Sequence, residues 1–411
     1  MATRVVDRAG SLEFGGVTLW SLAAEFGTPL YVYDAESIRE RLRMLRSELG
    51  SEVRVFYSVK ATPVRAVLVV LRELGAGLDL CSAGDIALAD YAGFPPDRTS
   101  FAGHGLTDDV YGQIADRPAM TFVADSFEQI RRMAGVWPGG AIGLRVNPEI
   151  AAGFTVDVQA GAETSRFGLS RLELPAAVAL AANLSLRVVG LHSHVGSGIE
   201  TAAPYLRLID QFEGVIGQLP DLRWVNLGGG FETSTEPGGA EISFGPIRHG
   251  LRRLTDAVRG ALEIRIEPGS YLTMDAGLLV ARVVDIKGKT VGPSFRGTAI
   301  VDASSNQLMS ATAYGVRHPV WIDSDGESRP TGTFDLAGNL MMAGDYLARK
   351  RELPSPHIGD LVAFGRCGAY TSSRSTVFNG QPRPAEVLVD GGQPRLVRRR
   401  ETAADLWSRD L

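Results

Sequence analysis

With 411 residues, 45% hydrophobic and 22% charged, the chain has the composition of a globular protein of two or three domains, not of a fibrous or low-complexity one. A net charge of −5 argues against nucleic acid or an anionic membrane as the main partner. Two cysteines, Cys81 and Cys367, build neither a disulfide framework nor a cysteine-rich zinc site, and no apolar leader or membrane-length run occurs; the expectation is a soluble, cytoplasmic protein.

Ahead of Asp34 the pattern predicts one short helix over 19–26 and a strand over 29–33. A strand-then-helix rhythm follows. Short β-rich segments fall at 53–59, 77–80, 99–102, 121–124, 141–146, 186–194, 224–227 and 263–267. Stretches with helical apolar spacing separate most of them, the clearest at 63–74, 84–91, 127–133, 172–182, 205–219 and 247–262. Strands alternating with helices imply parallel pairing through right-handed crossovers, and eight such units fit a closed (β/α)8 barrel over 35–277 better than an open sheet. After residue 278 the helical spacing stops. Strand-like segments at 278–286, 297–302, 332–336, 360–364, 385–389 and 393–398 predict a C-terminal all-β domain, joined by the N-terminal segment, so that 1–34 and 278–411 form the second domain.

In a barrel, function gathers where the strands end. Those ends carry Lys60, Asp79, Arg145, His194, Ser197, the Gly228-Gly229-Gly230 turn and Glu267. A glycine turn after a strand offers backbone N–H groups to a phosphate. A lysine closing the apolar run 53–59 is expected to be partly desolvated, which lowers its pKa and suits Schiff-base chemistry. Phosphate cradle and amine together point to pyridoxal phosphate.

Six motifs then carry a family resemblance: Thr28-Pro29-Leu30-Tyr31-Val32-Tyr33-Asp34, Tyr57-Ser58-Val59-Lys60-Ala61, Gly190-Leu191-His192-Ser193-His194-Val195-Gly196-Ser197, the glycine turn from Asn226 to Phe231, Glu267-Pro268-Gly269 and Gly368-Ala369-Tyr370. In this order they resemble the fold-type III pyridoxal-phosphate decarboxylases of ornithine, diaminopimelate and arginine, and diaminopimelate decarboxylase most. The resemblance implies a barrel with a β-domain and a homodimer with shared active sites. It also implies residue roles. Lys60 would bond the cofactor, Asp79 would lie near its amine, His194 would stack on the ring, and Glu267 would pair with the pyridine nitrogen to strengthen the electron sink. Arg145 belongs to the same cofactor-binding set; Ser197, the three glycines, Gly269, Ser270 and Tyr370 complete its phosphate end. Ser165-Arg166-Phe167-Gly168 resembles the end of a mobile loop at the mouth.

Several positions depart from the family pattern. The C-terminal Cys-Glu or Cys-Asp motif reads Met341-Met342-Ala343-Gly344-Asp345, removing the cysteine that helps protonate the carbanion. Glu-Pro-Gly-Arg ends in Ser270, and Ser310 stands where an arginine is usual, with Tyr314 retained. Arginine suits planar carboxylate recognition and serine does not replace it. Ser310, Tyr314, Met341 and Met342 are therefore read as an altered substrate pocket. The resulting expectation is decarboxylation of an amino acid or amino-acid-derived intermediate, a free small molecule or carrier-bound, other than meso-diaminopimelate. Racemisation, decarboxylative oxidation or coupling, and a non-catalytic regulatory homologue, are the alternatives. No metal spacing is found: His104, His249, His318 and His357 read as surface or structural, His192 as a core residue or one that supports a site residue from behind, and Cys81 as a small core residue.

Overall fold

The computed structural model describes residues 3–8, 10–153, 155–233, 241–258, 262–291 and 294–411. It divides into a barrel unit, residues 39–271, and a β unit made of residues 1–38 and 272–411.

Eight parallel strands close the barrel: Arg54–Ser58, Gly77–Leu80, Thr99–Phe101, Thr121–Ala124, Ala141–Arg145, Arg187–His192, Trp224–Asn226 and Glu263–Ile266. Closure is explicit in the register, where Arg265 and Ile266 of the eighth strand lie opposite Arg54 and Val55 of the first. The strands are short and buried on both faces, as strands covered by crossover helices must be. Each helix lays its apolar stripe on them: Val67, Leu68, Val70 and Leu71 of Arg65–Glu73 are all buried. Serine starts two helices, Ser82 taking the N–H of Asp85 at 3.1 Å and Ser126 that of Gln129 at 3.2 Å. The sixth strand ends at His192, so His194 stands two residues beyond it in the loop. The seventh-strand helix, expected over 247–262, runs Gly245–Ala257; residues 259–261 of that expectation lie outside the described residues.

The N-terminal strand Leu30–Asp34 is built into the β unit. It is buried along its whole length, antiparallel to Gly277–Val291 on one side and parallel to Ala385–Asp390 on the other. Leu30 and Val32 join Leu278, Val280, Ala385 and Val387 in one apolar core. Four features depart from the expected strand list. A small antiparallel sheet of Val5–Arg8, Ser11–Phe14 and Val17–Thr18 precedes the first helix. Val320–Asp323 and the charged strand Tyr346–Pro354 join the nine-stranded sheet. Short helices at Met309–Ala313 and Ala403–Leu406 interrupt the otherwise β architecture. Charge hides Tyr346–Pro354 from a hydropathy reading, because this strand pairs along one side only and its outward residues face water.

Candidate active site

Lys60 is the only lysine of the barrel unit; the others are Lys287, Lys289 and Lys350. It sits in the short turn Val59–Ala61 that leaves the first strand, and its Nζ lies 3.4 Å from Asp79 Oδ2 at the end of the second. Asp79 is buried and also accepts a 2.6 Å hydrogen bond from Ser58 Oγ. Burial, and then the Glu267 charge, push the Asp79 carboxyl above its ordinary range, while Lys60 and Ser58 pull it back. Expected desolvation of Lys60 is not what the structure shows. Its side chain is 52% exposed, because the turn lifts it out of the buried strand towards open solvent.

Glu267 follows the eighth strand and is buried, with both oxygens held: Oε2 lies 2.9 Å from His192 Nε2 and Oε1 accepts from Asn226 Nδ2 at 2.7 Å. Burial alone would raise its pKa, but the His192 charge and hydrogen bond, then Lys60 and His194, outweigh it and hold the carboxylate at about 2. His192 is thus buried and supports a site residue from behind, one of the two places the sequence allows it. Asn226 was not singled out from the sequence, although a polar residue closing the apolar strand Trp224–Asn226 was the available signal.

His194 accepts a 3.2 Å hydrogen bond at Nδ1 from the Gly229 N–H. Burial, then the Arg145 and Lys60 charges, lower its pKa to about 3, so the ring is neutral at pH 7 and its proton is on Nε2. The glycine turn is closely packed. A Cβ on Gly229 would stand 2.0 Å from the Glu267 carbonyl oxygen, and one on Gly230 would stand 1.8 Å from that of Gly196. Side chains are thus excluded where the loops after strands six, seven and eight meet, leaving a backbone-lined cradle. Ser197 and Gly269 lie on the loops after strands six and eight, and Ser270 opens the short helix Ser270–Thr273 that follows. Tyr205, which sequence reasoning missed, pins the turn by donating to the Gly229 carbonyl at 2.9 Å.

Arg145, at the end of the fifth strand, is 9% exposed. Its guanidinium lies 4.5 Å over the Phe167 ring, with Nε 3.7 Å from Asp125 Oδ2. Among the described residues it makes no hydrogen bond to a protein acceptor, which leaves a buried cation with donors to offer. Two more readings change here. His104 is neither a plain surface nor a plain structural residue: its Nε2 is 3.3 Å from Asp125 Oδ2 and its ring packs on Phe167. Cys81 is half-buried rather than core, because its thiol turns to Asp85 Oδ2 at 3.2 Å; burial and that carboxylate push it up to about 12.

The other sequence-derived site residues are carried by the β unit. Ser310 Oγ lies 2.8 Å from His318 Nε2, and Tyr314 and Tyr370 lie 5.0 and 5.9 Å under the Arg374 guanidinium. Met341 is 91% exposed and Met342 42%, on the turn whose Asp345 is buried and accepts from Ser305 and Leu340.

A buried carboxylate anion, an amine beside a second carboxylate, a buried arginine with open donors and a backbone-lined cradle form a donor set that fits pyridoxal phosphate, which needs an anion at its pyridine nitrogen, an amine at its aldehyde and N–H groups at its phosphate. Comparison with known proteins agrees. Residues 35–274 match the family model described as the pyridoxal-dependent decarboxylase, pyridoxal binding domain. The chain belongs to that family and is a pyridoxal-phosphate-dependent amino-acid decarboxylase with the barrel and β-domain architecture. It is 35% identical to the diaminopimelate decarboxylase of Methanothermobacter thermautotrophicus, over 98% of this chain and 96% of that protein. It is 33% identical to the Deinococcus radiodurans enzyme of the same name, over 96% and 98%. A crystal structure of the M. jannaschii diaminopimelate decarboxylase with L-lysine superposes with a TM-score of 0.88 at 25% identity, covering 100% of this chain and 98% of that one.

These relatives overturn the expectation of a substrate other than diaminopimelate. Four of them, all named diaminopimelate decarboxylase, are 32–35% identical over nearly the whole chain. Changes at Ser270, Ser310, Met341 and Met342 are few beside that similarity. A carboxylate accepts from any N–H or O–H donor and does not require a guanidinium, so loss of an arginine does not by itself exclude diaminopimelate. No helix among the described residues is long and apolar enough to cross a membrane.

Proposed function

We propose that this chain decarboxylates diaminopimelate, releasing carbon dioxide from one α-carbon to give lysine, and works as a homodimer on the free amino acid. The observation that carries the reading is the barrel mouth, where a half-exposed Lys60 amine, an ionised Glu267 and the open donors of Arg145 converge. Its similarity to diaminopimelate decarboxylases supports the substrate.

In this reading Lys60 would hold the cofactor at its aldehyde, Glu267 at its pyridine nitrogen, and Ser197, Gly228, Gly229, Gly230, Gly269 and Ser270 at its phosphate, with Tyr370 assigned there by resemblance. Bound pyridoxal phosphate supplies an electron sink for the pair left on the α-carbon as carbon dioxide departs. Asn226 and His192 keep Glu267 ionised and oriented for that task. Asp79 holds the Lys60 ammonium. Replacing the departed carboxylate requires a proton donor. Neutral His194, with Nδ1 engaged by Gly229, carries no acidic proton, and we assign the donor role to Lys60 Nζ, which Asp79 holds as an ammonium, ahead of Tyr370 or a water. The dimer is supported by exposed apolar groups on neighbouring loops of the β unit: Met341, Met342, Tyr314 and Phe378.

Incubating the holoenzyme with diaminopimelate and an amino-acid panel tests the substrate. Equal yields of lysine and carbon dioxide from diaminopimelate support the reading. Carbon dioxide from another amino acid, with none from diaminopimelate, overturns it.

A further inference from the structure

We infer that Asp125 and Phe167 are positioning residues that act through Arg145, setting where its guanidinium presents donors to the bound cofactor; the inference rests on the proposed assignment of Arg145 to the cofactor site. Arginine is a long, flexible side chain, and a buried one needs an anion and a packing surface to hold one rotamer. Arg145 has a packing surface and a neighbouring carboxylate. Phe167 supplies the surface, its ring 4.5 Å under the guanidinium carbon. Asp125, 8% exposed, supplies the anion, with Oδ2 3.7 Å from Arg145 Nε. At that distance the pair attracts without consuming a donor, so the guanidinium remains open to a ligand.

Both partners are themselves held by the backbone. The returning segment before helix Leu174–Asn183 pairs with the end of the fifth strand: Leu169 N–H donates to the Arg145 carbonyl at 2.9 Å, and Asn147 N–H to the Leu169 carbonyl at 2.8 Å. Gly168, at φ +81, makes the turn that delivers Phe167 beneath Arg145; a Cβ there would lie 2.7 Å from Asn147 N. Asp125 Oδ1 accepts the Gly168 N–H at 3.1 Å, and Gln129 Oε1 accepts the Asp125 N–H at 2.9 Å. His104 also packs on the Phe167 ring, with centroids 4.7 Å apart and the planes tilted by 59°, and the Arg166 guanidinium lies 5.0 Å from that ring. Asp125 therefore fixes the loop with Oδ1 and faces both Arg145 and His104 with Oδ2. Arg145 in turn interacts electrostatically with Asp79 and Glu267, which places it within the field of the mouth.

Asp125→Asn keeps an acceptor for Gly168 and removes the charge facing Arg145, which separates the two duties. The experiment is a double-mutant cycle read in cofactor affinity, so it does not depend on which amino acid is decarboxylated. Expected is a roughly tenfold weaker pyridoxal phosphate dissociation constant for Asp125→Asn in the Arg145 enzyme, and less than twofold in an Arg145→Met background. Phe167→Leu should behave in the same way, and Phe167→Tyr should restore affinity. Thermal unfolding of each cofactor-free variant checks that the fold is intact. Equal losses in both backgrounds, or no loss at all, would overturn the inference, while a failure of diaminopimelate turnover alone would leave it standing.

Discussion

Two buried arginines at opposite ends of the barrel, Arg265 and Arg145, are treated in opposite ways. Arg265, 8% exposed on the eighth strand, has its demands met by the protein: Glu263 accepts from Nε, Thr121 Oγ1 accepts at 2.9 Å, and the Trp224 ring lies 4.4 Å beneath it. Arg145, 9% exposed at the strand-end face, has a ring and a carboxylate beside it but no protein acceptor among the described residues. Equal burial with unequal satisfaction separates a residue that holds the barrel together from one kept for a ligand. Barrels in general put stability at the face where strands begin and chemistry at the face where they end.

Removing the amine itself should have the largest effect. Lys60→Ala is expected to lower turnover by at least about 10³-fold and to abolish the visible absorbance of lysine-bound cofactor, measured by carbon dioxide release and spectroscopy. Next comes the direct test of the contrast. Arg145→Met should weaken cofactor binding at least tenfold with little change in the unfolding of the cofactor-free protein. Arg265→Met should do the reverse, costing roughly 2–3 kcal/mol of stability because Glu263 loses one of its two arginine partners in a partly buried site. If both variants lose stability equally and retain cofactor equally, the contrast is wrong.

Smaller effects sharpen the strand-end side of the comparison. A group whose folded pKa lies below its unfolded value stabilises the fold above the unfolded pKa and loses that contribution as pH falls through the folded one. Glu267, held at about 2 against an ordinary 4.5, belongs to this class. Wild type should therefore exceed Glu267→Gln in denaturant stability at pH 7, with the gap narrowing as the pH drops below about 4.5 towards 2. Smallest is Tyr205→Phe, which removes one buried hydrogen bond to the glycine turn and should cost about 1 kcal/mol, read as a shift in denaturation midpoint.

Much of this arrangement was legible because barrel geometry makes strand ends special. Lys60, Asp79, Arg145, the triple glycine and Glu267 could be placed on one face once eight strand-like segments were counted. Partners that act sideways were not legible. His192 and Asn226 meet at Glu267 from two different strands, and Asp125 and Phe167 meet at Arg145 from a strand end and a returning loop. Such meetings depend on which side of each strand faces inward, which four-residue segments do not declare. Pairing of Leu30–Asp34 with Ala385–Asp390 spans most of the chain and has no local signal. The exposure of Lys60 escaped for a related reason, since an apolar strand says nothing about the turn that follows it. Substrate is not legible at Ser270, Ser310, Met341 and Met342 alone, because other donors can take over a carboxylate that an arginine no longer meets.

Borohydride reduction of the cofactor-loaded protein followed by peptide mapping tests the central assignment most directly. The account expects one pyridoxyl adduct, on Lys60, and none on Lys287, Lys289 or Lys350. An adduct on another lysine, or a loaded protein that yields no adduct, would contradict it.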